Sequence, residues 1–378
     1  MVKIRWQMSH IPLFNLPALH KPIIDEISEN IQSVVDSGMF VGGPEIAQFE
    51  NDFTKVARIP YVASVSSGTD ALVAALIASG VQPGDFVVTV PMTFIATVEA
   101  IYHVGATPLF VDIDKNGVMD GEKLTELLLS TDKTIGAVIP VHLHGVMAEM
   151  RRIAAICLAH NIPVIEDAAQ AHGAMREGTA PGELSLFATY SFYPGKNLGA
   201  FGDAGAVVSR SEGGIEQVKA LRNHGRYDKK YEHARIGYNM RMDAVQAAVL
   251  RVKIKYFPQW QREREKIANS YYEHLHPTGL IDHIPVKDVN IRSAWHLFTI
   301  LHERRDAIQK ALQMQDIQTG IHYPIPLHLQ KACESLGYKE GDFPVAEKFA
   351  KETLSIPFWP GMTDEQISTV SKAILAEV

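Results

Sequence analysis

One lysine stands where nucleophilic chemistry is possible. In Ser191-Phe-Tyr-Pro-Gly-Lys-Asn-Leu-Gly-Ala-Phe-Gly-Asp203 an aromatic, apolar stretch (Leu186, Phe187, Tyr190, Phe192, Tyr193) runs into a Pro-Gly turn that delivers Lys196 among small residues. Apolar surroundings disfavour the ammonium and lower a lysine's pKa. The neutral amine is the form that builds Schiff bases. Upstream, Glu166-Asp167-Ala-Ala-Gln170-Ala-His172-Gly173 follows the strand-like run 162–165, setting a carboxylate just past a strand end. A Schiff-base lysine with an aspartate for a pyridinium nitrogen is what pyridoxal phosphate (PLP) asks of a protein. The plain alternative is a solvated loop lysine and an acidic cap.

Other groups fall into place around this pair, each with a plain alternative. Ser66-Ser67-Gly68-Thr69 precedes the helical run from Asp70. Glycine admits a close backbone approach, and a helix N-terminus favours an anion. The segment reads as a phosphate cradle, or as a simple N-cap. Phe94, in Met92-Thr93-Phe94, reads as a ring that stacks on an aromatic ligand, or as a core aromatic. Gln170 and His172 follow Asp167 closely enough to position such a ring, although His172 also fits a core histidine. His142 and His144 alternate beyond a strand and so point to opposite faces. With Glu166, Asp167 and His172 they lack any established metal-ligand spacing, so no metal is expected. Arg235, Tyr238, Asn239 and Arg241 form a polar cluster before a long helical run. It reads as a solvated loop, or as an anion-binding loop that reaches a neighbouring subunit.

The elements that must hold these residues are legible in outline. Residues 23–37 and 45–57 read as helices of an N-terminal arm, with Gly38 as a stop. Between 61 and 210, short apolar strands (61–65, 86–90, 107–112, 135–141, 162–165, 186–192, 204–209) alternate with helices (70–79, 95–104, 121–129, 150–160). Strands apolar at nearly every position are covered on both faces, which predicts a mostly parallel sheet with helices on each side. Ligands bind at the carboxyl ends of such strands, where the motifs above fall. Beyond about 240 the pattern changes to a long helix or helix pair over 242–276 broken near Pro258. A strand 295–301, a helix 304–315, the loop His322-Tyr-Pro-Ile-Pro-Leu-His328 and a final helix 364–378 follow. The expected organisation is an arm and large PLP-binding domain over 1–240, and a smaller C-terminal α+β domain over 241–378.

Composition narrows the classes. The chain has 378 residues, 46% hydrophobic and 21% charged, with a net charge of −7, which is ordinary for a large globular enzyme. No general basic surface is left for nucleic acid. Two cysteines, Cys157 and Cys333, form no disulfide framework, as expected of a reducing cytoplasm. The opening residues are too polar for a signal peptide, and no apolar run is long enough to span a bilayer. A dinucleotide-binding dehydrogenase is the fold-level competitor, but no G-x-G-x-x-G follows a strand.

Taken in order, six segments resemble the DegT/DnrJ family of PLP-dependent nucleotide-sugar aminotransferases, of the fold type I (aspartate aminotransferase) superfamily. They are Ser-Gly-Thr-Asp-Ala-Leu (67–72), Thr-Phe-Ile-Ala-Thr (93–97), Pro-Val-His-Leu-His-Gly (140–145), Glu-Asp-Ala-Ala-Gln-Ala-His-Gly-Ala (166–174), Ser-Phe-Tyr-Pro-Gly-Lys-Asn-Leu-Gly-Ala (191–200) and Gly-Tyr-Asn-Met-Arg-Met-Asp (237–243). The resemblance implies that Lys196 is the Schiff-base lysine and proton carrier and Asp167 the partner of the ring nitrogen. It further implies that Gly68, Thr69 and Ser191 hold the phosphate, Phe94 stacks on the ring and Gln170 contacts the cofactor hydroxyl. Asn239 resembles a residue that reaches the phosphate from the other subunit, implying a homodimer with shared sites. His172, Tyr193, Arg235, His322 and Tyr323 are the candidate substrate contacts. His144 stands where many relatives carry an aromatic residue. Ala-Gln-Ala-His-Gly and His322-Tyr-Pro-Ile-Pro326 look most like the 3-keto-sugar group. The implied reaction moves an amino group from glutamate to a dTDP-linked 3-keto-6-deoxyhexose. A UDP-2-acetamido-3-keto sugar or uronate, a keto-inositol, and a PLP-binding regulator without turnover are the alternatives.

Overall fold

The computed structural model describes residues 10–227, 229 and 231–378; the polar opening, residues 1–9, lies outside them. The large unit is built on strands β1 (Tyr61–Val65), β2 (Phe86–Thr89), β3 (Thr107–Phe110), β4 (Ile135–Val138), β5 (Ile165–Asp167), β6 (Phe187–Ser191) and β7 (Gly205–Ser209). Two hydrogen-bonded groups, β1-β7-β6-β5 and β3-β2-β4, are joined by parallel bridges between Val138 and Val164 and between Val141 and Asp167. The spatial order is therefore β1-β7-β6-β5-β4-β2-β3. Within the sheet β7 alone runs against its neighbours, so the other strands send their carboxyl ends to one edge.

Most strand residues are buried because both faces of the sheet are covered. Helix α1 (Gly68–Ala78) shows why: Ala71 to Leu76 are all buried, a helix apolar all round and so enclosed. It packs against β6, β7 and the helix Ala96–His103. Gly38 ends the arm helix Ile24–Ser37 in the left-handed conformation, at φ 66°, where glycine carries no steric penalty.

A second core gathers Ile267, Tyr271, Phe298, Phe358 and Ile367. It surrounds an antiparallel pair, β8 (Phe298–Leu301) and β9 (Thr353–Ile356), with helices Arg305–Met314 and Asp364–Leu375. Helix α2 (Ala244–Leu275) serves both cores: Ala247, Leu250 and Phe257 enter the large one, Ile267 and Tyr271 the small one.

Three expectations need correction. Helix α2 is not broken at Pro258 but continues through it for 32 residues. One missing N–H weakens a helix, but burial of Phe257 and Trp260 on either side holds this one together. The strand expected from 295 starts at Phe298, since Trp295 adopts φ 50°, which no strand accommodates. His142 and His144 part through a turn, His144 having φ 57°, and not through strand alternation. Helix Glu212–Leu221, helix Pro344–Glu352 and β9 were not anticipated. In the first, Gly213 and Gly214 mask a helical pattern that Ser211 caps through the Gly214 N–H.

Candidate active site

The carboxyl ends of β1, β2, β4, β5 and β6 open onto one cavity of about 510 Å³, lined also by His296, His322 and Tyr323. Of the residues singled out in the sequence, Gly68, Thr69, Phe94, His142, Asp167, Gln170, Ser191, Tyr193, Lys196, His322 and Tyr323 line it. Those from Gly68 to Ser191 meet because the parallel strands end together, Tyr193 and Lys196 follow on the loop after β6, and His322 and Tyr323 join them from a loop of the C-terminal part.

Ser67 caps α1 by accepting the Asp70 N–H at 3.0 Å. The backbone N–H groups of Gly68 and Thr69 belong to the first turn and have no partner within the helix. Capping by Ser67 thus leaves these two N–H groups available to an anion. A Cβ on Gly68 would fall 2.7 Å from the Ser191 Cβ, so glycine is what lets the helix end approach the end of β6. Asp167 is the last residue of β5. Its Oδ2 accepts from Thr97 Oγ1 at 2.8 Å and its Oδ1 from the Ala169 N–H at 3.1 Å. The carboxylate is therefore fixed in orientation while its edge faces the cavity. Phe94 is 53% exposed and tilts toward Tyr323, ring centroids 5.6 Å apart. It is a rim residue, not a core aromatic.

Lys196 keeps some surface toward the cavity, yet protein encloses it closely. Burial pushes its pKa down to about 8, while the charge of Asp167 pulls the other way. The amine is thus far closer to its neutral, nucleophilic form at physiological pH than a surface lysine is. Burial also depresses His322, with a further push from Lys196. It raises Tyr323 to about 12, so the imidazole is neutral and the phenol keeps its proton. Gln170 braces this wall: its Oε1 accepts the His144 N–H at 2.6 Å, and its Nε2 reaches Tyr323 Oη at 3.4 Å. His144 Nε2 lies 3.0 Å from the His322 carbonyl and donates to it.

Three candidates stand apart from the cavity in this single chain. His172 is fully enclosed, its ring against Tyr190 and Phe192. Burial lowers its pKa to about 3, and nearby Lys196 adds to the effect. It lies beneath the site and does not face it. Arg235 and Asn239 sit on the loop between helix Glu212–Leu221 and α2, where Asn239 pairs with Asn223. His142 donates through Nε2 to Glu166 at 2.6 Å, since its Nδ1 accepts the Ala148 N–H. Among the described residues no group of three or more His, Cys, Asp or Glu is arranged for a metal.

Several residues were missed. Thr97 lies in a quoted segment, yet nothing local marked it as the Asp167 donor. His296 lines the cavity from the second unit. Its Nδ1 lies 3.2 Å from Asn197 Oδ1, and Asn197 in turn donates to the Ala294 carbonyl at 2.5 Å. An Asn oxygen only accepts, so His296 carries its hydrogen on Nδ1. A lone histidine 99 residues from its partner gives no sequence signal.

A helix N-terminus beside Ser191 for a phosphate, a fixed carboxylate for a ring nitrogen, an exposed ring to stack and a lysine of lowered pKa fit PLP. Fold and site together define a fold type I PLP enzyme, an aminotransferase. The family comparison is specific: the chain belongs to the DegT/DnrJ/EryC1/StrS aminotransferase family, whose model matches residues 21–375. A "pleiotropic regulatory protein" of Geobacillus stearothermophilus is 41% identical over 97% of this chain and 98% of its own. The dTDP-3-amino-3,4,6-trideoxy-alpha-D-glucose transaminase of Streptomyces venezuelae is 38% identical over 98% of this chain and 97% of its own. The crystal structure of S. venezuelae DesV in complex with a ketimine intermediate superposes with a TM-score of 0.92, at 37% identity, over 97% of this chain and 98% of that one.

Proposed function

We propose that the protein transfers an amino group from glutamate to C3 of a nucleotide-linked keto sugar, a dTDP-3-keto-6-deoxyhexose in the first instance. The observation that carries this reading is the convergence of Lys196, Asp167 and the N-terminus of α1 on one cavity that His296, His322 and Tyr323 also line. The bound PLP ring supplies an electron sink for the substrate carbanion.

The chain's own residues do the rest. Asp167, held by Thr97 and the Ala169 N–H, sets a negative charge against the ring nitrogen. Gly68, Thr69 and Ser191 hold the phosphate with backbone and hydroxyl hydrogens. Lys196 takes and returns the proton at Nζ, which a pKa of about 8 suits, because proton transfer is most effective near the operating pH. His322, neutral, and Tyr323, a donor, meet sugar hydroxyls without placing a full charge in the cavity. Phe94 covers the ring from the rim.

The site is completed in a homodimer. Asn239 and Arg235 lie on an exposed loop, and Met39, Phe40 and Val41 are exposed beside it, joined to it where Val41 pairs with Asp243. A second copy laid on this surface brings Asn239 to the phosphate and Arg235 to the sugar or its carboxylate. We further place the boundary between the two units at 240/241.

The test uses purified holoenzyme. Glutamate alone should change the absorbance of the bound cofactor and yield one 2-oxoglutarate per site. A dTDP-3-amino-3,6-dideoxyhexose with 2-oxoglutarate should run the reaction backwards, faster than its 4-amino isomer, the UDP-linked counterpart or an amino-inositol. A faster 4-amino isomer overturns C3, and no turnover of glutamate leaves the regulatory alternative. For the dimer, Lys196→Ala and Asn239→Ala chains are mixed. In a mixed dimer one site collects both lesions and the other is intact, so partial recovery is expected. Mixed dimers without recovery exclude a role across the interface.

A further inference from the structure

We propose that Lys253 is a positioning residue for Lys196, acting through the carbonyl of Gly199 and latched by His20 of the N-terminal arm. Lys253 lies in the first third of α2 and is 1% exposed. Among the described residues no carboxylate pairs with it. A buried lysine without a counter-ion is costly, and its burial lowers its pKa to about 7.

What the amine touches explains its presence. Nζ donates to the Gly199 carbonyl at 2.6 Å and lies 2.8 Å from His20 Nε2. The Phe201 ring centroid is 4.6 Å away, and the same ring packs on His20 at 5.0 Å. Protonated or neutral, the amine has a hydrogen for Gly199.

Gly199 closes the loop that presents Lys196. A Cβ there would fall 2.3 Å from the Pro194 carbonyl oxygen, so the chain doubles back tightly. The Ala200 N–H bonds the Phe192 carbonyl at 2.7 Å, and the Lys196 N–H bonds the Tyr193 carbonyl at 2.8 Å. The Gly199 carbonyl, itself buried, turns away from this closed loop toward α2. Without Lys253 it is a buried acceptor with no other donor among the described residues. Asn197 secures the other flank through Ala294. The two anchors hold the lysine-bearing loop from behind, which matters because a catalytic group must be placed to fractions of an ångström. His20 ties in the arm whose Phe14 lines the cavity.

Lys253→Met removes the hydrogen bond and keeps the length. Hydrogen–deuterium exchange of the full-length holoenzyme would be compared over residues 192–201 and over β7. Loss of one buried hydrogen bond should speed loop exchange about tenfold and leave β7 unchanged. In the glutamate half-reaction kcat should fall about 10- to 100-fold, with KM within about twofold. His20→Leu should move both readouts the same way by less, and it carries the test if Lys253→Met fails to fold. Unchanged loop exchange, or faster exchange in β7 to the same degree, overturns the proposal. The exchange readout stands whichever sugar the enzyme uses.

Discussion

Two lysines meet at one loop, Lys196 carried on it and half-buried, Lys253 buried and bonded to it from behind. Burial lowers both, to about 8 and about 7. Their surroundings differ in kind. The wall around Lys196 is made largely of strand ends, each a short contiguous motif. The support behind it is made of single residues from a helix and an arm, His20 and Lys253, 233 positions apart. A parallel sheet brings motifs to one edge by topology alone, whereas the support depends on side chains that meet only when the tertiary structure is complete. The reacting groups are therefore concentrated in sequence and the groups that hold them are dispersed.

The strongest way to break this contrast is to move the chemistry. Lys196→Ala should cut turnover roughly 10⁴-fold or more, the upper range for a positioned proton carrier, with thermal stability little changed. Borohydride treatment of the wild type should label the peptide holding Lys196. A label on Lys253 would exchange the roles of the two lysines. Asp167→Asn comes next. The asparagine keeps one acceptor and turns an amide NH₂ toward Thr97 or the Ala169 N–H. Removing a preorganised electrostatic contact of this sort costs about 10²- to 10³-fold in kcat. Near-normal turnover would remove Asp167 from the machinery.

The same contrast sets what sequence alone discloses. The alternation of apolar strands and helices, the mostly parallel sheet and its functional edge were legible because burial on both faces writes itself as unbroken apolar runs. Lys196 was legible because a Pro-Gly turn ends such a run. Lys253 was not: within Arg251-Val-Lys-Ile-Lys255 it looks like one more charge on a helix, and only the tertiary fold turns it inward. Thr97 and His296 hid for a similar reason, each acting through a partner at least 70 residues away. Helix Glu212–Leu221 hid behind two glycines whose cost tertiary packing overrides. Asn239 is intermediate: its segment was conspicuous, but a single chain leaves it apart from the cavity.

A smaller effect sharpens the account of the wall. Gly68→Ala places a Cβ 2.7 Å from that of Ser191, so α1 must retreat from β6. Overpacking of this kind costs about 1–3 kcal/mol, and the two halves of the proposed phosphate cradle separate. PLP affinity, read by equilibrium dialysis, should fall by more than the melting temperature alone accounts for. A normal affinity would show that the close approach serves packing only.

The last test concerns Lys253 and pH. In the unfolded chain this lysine titrates near its ordinary value of 10.5, and in the folded protein at about 7. Between these values the unfolded chain binds more protons than the folded one, so stability rises with pH across that window. Below about 7 both forms are protonated and the cost of the buried ammonium is at its full value. Above about 10.5 both are neutral and it has gone. Lys253→Met has no such group, so its stability lacks this contribution. Wild type should gain on the methionine variant as the buffer moves from pH 7 through 8 to 9, read as the difference between their melting temperatures. His20 does not blur the test: burial and the neighbouring Lys253 hold it at about 4, so it stays neutral throughout. Parallel curves would mean that Lys253 keeps its proton when folded. The amine would then be a permanently charged clamp on Gly199, and Lys196 alone would be the lysine that burial discharges.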